Sequence, residues 1–121
     1  MSTTFPPPSY TIMPSGRPGC FVLRLTDSPN EDAAAALRSE LLRLCAREPQ
    51  LLVLDVSGLR EIDSATLALM LLCRRLVSGA AGKFRLAGAS PSLQDVLRVT
   101  RLVHVLDCRP DVASALVDAT G

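Results

Sequence analysis

The sequence predicts an α/β fold in a single domain: an opening β-hairpin, then alternating strands and helices, giving a mixed, mostly parallel sheet packed with helices. Three observations carry this. PSGRPG at residues 14–19 is a turn between two strand-like runs. LLVLDV at residues 51–56 is a near-continuous apolar run of strand length, the pattern of a parallel strand covered on both faces. A capping residue followed by proline, Ser28-Pro29 and again Ser90-Pro91, twice marks a helix start after such a run.

Taken in order, residues 1–8 contain three consecutive prolines and read as a disordered tail or packing arm, leaving residues 9–121 as the domain. Residues 9–13 form a short strand, and CFVLRLT at residues 20–26 is its returning partner. In Ser28-Pro29-Asn30-Glu31, Ser28 is the expected cap, Pro29 the first helical residue and Glu31 the far side of a capping box. The helix runs to about Glu48 and stops before Pro49, with Leu37, Leu41, Leu44 and Cys45 on one face and Arg38, Arg43 and Arg47 elsewhere. After the strand at 51–56, a loop holding Gly58 leads to Asp63-Ser64 and a helix to about Ser78. Gly79 to Gly82 break it. KFRLAGA at residues 83–89 is the next strand, Leu93, Val96 and Leu97 give the following helix its buried face, residues 103–106 form a last short strand, and residues 111–119 close the chain as a helix.

Composition bounds the function. With 121 residues, 48% of them hydrophobic and 21% charged, the chain is long enough for one real core. Thirteen basic residues against twelve acidic ones leave a net charge of +1, and Lys83 is the only lysine among dispersed arginines. No basic block is present to neutralise a row of phosphates, so direct nucleic-acid binding is not expected. Cys20, Cys45, Cys73 and Cys108 are too widely spaced for a zinc site and read as small core residues, so no metal and no cofactor is expected. The polar, proline-rich start does not resemble a signal peptide, and the strongest apolar stretch, residues 65–73, falls well short of the ~20 residues a bilayer requires. The expected location is the cytoplasm, without membrane insertion.

The informative place is Asp63-Ser64, where strand carboxyl edges and helix starts meet and functional groups gather in such sheets. Both residue types cap helices, so capping alone accounts for one of them. The helix behind them is unusually apolar: from Ala65 to Val77 only Thr66, Arg74 and Arg75 are polar. Either neighbouring helices enclose it or part of it meets another protein. A phosphate on Ser64 would be tolerated at a helix N-terminus, yet would place a dianion in any interface formed there. Nucleophilic catalysis would need a base beside Ser64, and the one histidine, His104, falls in an expected strand, while Cys73 falls in an expected buried helix. No phosphate-cradling glycine motif exists, and no enzyme activity is expected.

LVLDVSGLREIDSATLALMLLCRR at residues 52–75 and FRLAGASPSLQDVLRVTRLVHVL at residues 84–106 resemble the STAS domain, the fold shared by anti-sigma factor antagonists, and the likeness extends over residues 9–119. The family pattern is an apolar strand ending in D-x-S, matched by Asp55 and Ser57, then a loop and D-S-[SA]-x-L opening a hydrophobic helix. The resemblance implies an anti-anti-sigma factor, a partner-switching component of transcription regulation. Its unphosphorylated form binds a serine protein kinase that doubles as an anti-sigma factor, freeing a sigma factor; the kinase phosphorylates the serine of the pair and a phosphatase reverses it. Carried over by motif, Ser64 is the phosphoacceptor, and Asp27, Asn30, Asp63, Ala65, Thr66, Leu67 and Met70 are the partner-binding candidates. This chain departs from the pattern at Ala65 and Thr66, where a second serine and a glycine are common, and at residues 27–30, where Asp27-Ser28-Pro29-Asn30 replaces a glycine-x-hydrophobic-aspartate run. The alternative implied by the same likeness is an adaptor subunit of a lipid-transport ABC system, docking on an ATPase without phosphorylation.

Overall fold

In the computed structural model, residues 10–27, 29–59 and 63–117 are described. Five strands, β1 (Tyr10–Pro14), β2 (Cys20–Leu25), β3 (Leu51–Asp55), β4 (Lys83–Ala87) and β5 (Cys108–Arg109), form one sheet in the order β1-β2-β3-β4-β5. β1 and β2 pair antiparallel, as the PSGRPG turn requires, and each later strand pairs parallel to its predecessor. The parallel strands are joined by α1 (Glu31–Cys45), α2 (Ser64–Gly79) and α3 (Pro91–Val99), and α4 (Val112–Val117) follows β5.

Strand side chains alternate between faces, and so divide the core in two. Leu23, Leu25, Leu52, Leu54, Phe84 and Leu86 pack with the buried stripes of the three crossover helices. Cys20, Val22, Leu51, Val53 and Ala87 lie on the other face, where Ala115, Val112 and Leu116 of α4 cover them. β3 is buried along its whole length, which explains its unbroken apolar pattern. Most of the apolar surface of α2 goes the same way: Leu69, Met70, Cys73 and Val77 are buried, since α2 packs against both α1 and β4.

Local details correct several expectations. The cap of α1 is Asn30, whose side chain accepts the Ala33 N–H at 2.8 Å, so Pro29 precedes the helix instead of opening it; the expected cap, Ser28, lies outside the described residues. Asn30 and Ser28 are equally good caps by type, and the backbone decides between them. Helix α1 also ends at Cys45, three residues before Glu48, which has a left-handed φ of 54°. β4 stops at Ala87 because Gly88 turns the chain with φ 77°. The expected strand at residues 103–106 is a turn: Leu106 N–H donates to the Leu102 carbonyl, and only Leu106 of the run is fully buried. The last strand forms two residues later, at Cys108–Arg109. Val96 is exposed, leaving Leu93 and Leu97 as the buried face of α3. Cys20 and Cys73 are buried as expected, while Cys45 and Cys108 are half-buried. The expected tail at residues 1–8 and the last residues of the expected closing helix lie outside the described residues.

Two measurements follow from this packing. A Cβ at Gly88 would stand 2.8 Å from the Ser57 Cβ, on a backbone with φ 77°. Gly88→Ala is therefore expected to lower stability by about 1–3 kcal/mol, read by urea denaturation. Burial pushes the Cys73 thiol up from 9.0 to about 12. The folded state thus holds that proton more tightly than the unfolded chain. Its contribution to stability is complete below pH 9.0 and is lost as pH rises towards about 12. Replacing Cys73 with Ala should flatten this alkaline decline in a melting-temperature series, whatever it costs in packing.

Candidate functional site

The site is built at the carboxyl edge of the sheet. β3 ends in Asp55, a buried carboxylate that needs partners where water cannot reach it. Arg24 Nε of β2 lies 3.1 Å from its Oδ2, and the Ser57 N–H donates to its Oδ1 at 3.0 Å. The carboxylate thereby joins two strands to the loop that follows. Val56 N–H donates to the Ala87 carbonyl, and Leu59 N–H to that of Val56, so the loop is held down from the β4 side too. Gly58 lies close over the end of β2, where a Cβ would stand 3.3 Å from the Leu25 carbonyl oxygen. Asp55 of the D-x-S motif is thus structural, and with the Ser57 backbone N–H it fixes how the chain leaves the sheet.

Asp63 caps α2 with extended backbone (φ −109°, ψ 174°). Its Oδ1 accepts the Thr66 N–H at 2.7 Å and the Thr66 hydroxyl, also at 2.7 Å. The Leu67 N–H donates to the Asp63 carbonyl, the first regular bond of the helix. Capping is therefore performed by Asp63, and Ser64 is left as the first helical residue with its side chain exposed. The two members of the pair have separate tasks, one turned into the helix and one turned out to water.

The remaining candidates divide by burial. Asp27, Asn30 and Ala65 are exposed, although the Asn30 side chain is engaged in capping α1. Leu67 is half-buried. Thr66 and Met70 are both 0% exposed, which corrects the expectation that they face a partner: they support the surface from beneath. In their place the structure brings Ala68 and Leu71 to the outside, with Leu71 36% exposed. Positions 64, 68, 71 and 75 recur at helical spacing, so Ser64, Ala68, Leu71 and Arg75 form one exposed stripe along α2. Counting i+4 and i+7 from Ser64 along the sequence would have found Ala68 and Leu71.

Few other groups compete for a chemical role. His104 is exposed on the turn at residues 103–107, not in a strand. Among the described residues, no three of His, Cys, Asp and Glu come together as a metal-ligand set, and no helix is long and apolar enough to cross a membrane.

The division of tasks is measurable. Asp63→Ala removes a cap and both bonds to Thr66, and is expected to cost about 1–2 kcal/mol in chemical denaturation. Ser64→Ala touches no such bond and should fall within about 0.5 kcal/mol of the wild type. Equal losses from the two would mean that Ser64 is part of the cap.

Comparison with known proteins agrees with this architecture. The STAS domain family model matches residues 11–115. An anti-sigma factor antagonist from Mycobacterium paratuberculosis superposes with a TM-score of 0.74 at 21% identity, covering 96% of this chain and 98% of that one. RsbS of Moorella thermoacetica, in a variant with glutamate replacing a serine, gives 0.77 at 18% identity, covering 92% and 94%. The phosphorylated form of SpoIIAA from Bacillus gives 0.69 at 18% identity, covering 93% and 99%. At such identities the likeness is one of fold. A search of the curated proteins finds no match.

Proposed function

Because the chain belongs to the STAS domain family, we propose that it is an anti-sigma factor antagonist. In this reading its unphosphorylated form binds a serine-kinase-type anti-sigma factor and frees a sigma factor, and phosphorylation of Ser64 switches that binding off. The observation that carries the reading is the exposed Ser64 hydroxyl at the start of α2, made surplus to the fold because Asp63 does the capping.

The stripe of Ala68 and Leu71 continues from Ser64 along the same helix and supplies apolar contact for a partner. A phosphoryl group at Ser64 adds a charge of about −1.5 to −2 beside that contact. The helix N-terminus favours an anion there, so the fold tolerates the modification. A docked partner does not, unless it offers cations: each ~1.4 kcal/mol of uncompensated desolvation or repulsion weakens binding tenfold. The Asp63 carboxylate, adjacent in sequence, adds to the negative field. The switch then works at the surface without refolding, with the chain as the kinase's substrate and a phosphatase resetting it. Both steps take place in the cytoplasm on this reading.

Incubation with ATP and the cognate anti-sigma kinase is expected to add one phosphate, located on Ser64 by mass spectrometry and absent in Ser64→Ala. Ser64→Glu and Leu71→Asp should each weaken kinase binding at least tenfold in calorimetry while melting within a few degrees of the wild type. Phosphate on another residue, or unchanged binding by both variants, would overturn the reading.

A further inference from the structure

Within one helical turn, Asp63-Ser64-Ala65-Thr66 offers two hydroxyls, and their environments are opposite. Ser64 is exposed, whereas Thr66 is 0% exposed and its hydroxyl donates to Asp63 Oδ1 at 2.7 Å. The same oxygen takes the Thr66 N–H at 2.7 Å. The N–H bond is what any N-cap makes; the O–H bond is additional. It is short and charge-assisted, a class roughly twice as strong as neutral hydrogen bonds. The bond is part-buried: Thr66 itself is sealed under the helix end while Asp63 is exposed, so the packing around Thr66 sets the direction of the hydroxyl.

We propose that Thr66 is a positioning residue for Ser64: its hydroxyl clamps the Asp63 carboxylate onto the first turn of α2, so that Ser64 is presented by a rigid helix end. The inference rests on the reading of Ser64 as phosphoacceptor and adds what prepares it. Asp63 and Thr66 close a ring of bonds across the turn, and Ser64 lies inside that ring in sequence while its side chain points out of it. In the transfer, the bond between the γ-phosphorus of ATP and the ADP oxygen breaks as the bond to Ser64 Oγ forms. ADP leaves, and the hydroxyl proton passes to a base of the kinase. A helix end already ordered enters that reaction without losing further conformational freedom. The clamp also separates the two hydroxyls, since Thr66 is withdrawn from the kinase by burial.

The test compares Thr66→Val, which keeps the shape and removes the O–H donor, with Thr66→Ser, which keeps the donor. Steady-state phosphorylation by the cognate kinase and ATP is measured for both, with the phosphosite mapped. Thr66→Val should lower kcat/KM about fivefold through loss of the bond to Asp63, mainly as a higher KM. Thr66→Ser should stay near the wild type. In an Asp63→Ala background, Thr66→Val should cause a smaller loss in kcat/KM than it does in the wild type, because the clamp has lost its other half. Thr66→Val phosphorylated at the wild-type rate or faster, a full additional loss in the Asp63→Ala background, or phosphate on Thr66 of the wild type would overturn the proposal. Wild-type protein that takes no phosphate on Ser64 would instead overturn the phosphoacceptor reading itself, and the clamp with it.

Discussion

Leu51, Leu52, Val53 and Leu54 are all fully buried, and a strand with no side chain to offer water must be covered on both faces. Much of the architecture answers that requirement. The three crossover helices cover one face of the sheet, and the short α4 covers the other behind β3 and β4. The last residue of the strand is a buried carboxylate, Asp55, which is tolerable only because Arg24 and the Ser57 N–H meet it. Those partners set the direction in which the chain leaves the sheet.

A similar solution holds the far face. Arg85 in β4 is almost fully buried and donates through Nη1 to the Ala115 carbonyl at 2.6 Å, anchoring α4 to the sheet. Among the described residues its Nε has no hydrogen-bond partner, but it lies at ion-pair distance, 3.5 Å, from Asp107 Oδ2. The left-handed backbone at Asp107 helps carry the chain from the turn into β5. Buried charge thus ties β2, β3 and the following loop together through Asp55 and ties α4 to β4 through Arg85, while the apolar contacts supply the bulk of the core.

At the start of α2 the first N–H groups lack partners within the helix, and Asp63 accepts that of Thr66 through an oxygen that also holds the Thr66 hydroxyl. Ser64 is relieved of structural duty at a position the fold keeps exposed. Changes to its hydroxyl therefore act on whatever meets the helix end rather than on the core, the condition for a surface switch.

How much of this was legible beforehand depended on whether the deciding force was local. Alternation, turn residues and caps are properties of neighbouring residues, and they determined the hairpin, the order of strands and helices, and the position of Asp63-Ser64. The burial of Thr66 and Met70 depends on which face of α2 the sheet and α1 occupy, and an almost wholly apolar helix has no polar face to reveal it. Residues 103–106 looked like a strand because four residues with an apolar alternation fit a strand or a turn that buries one leucine equally well. Arg85 in KFRLA gave no sign of its burial, which arises from α4 some thirty residues later. The sequence by itself determined the fold class and the helix end at which chemistry is available; tertiary packing alone decided which residues of that end face water, because burial is a relation between segments distant along the chain.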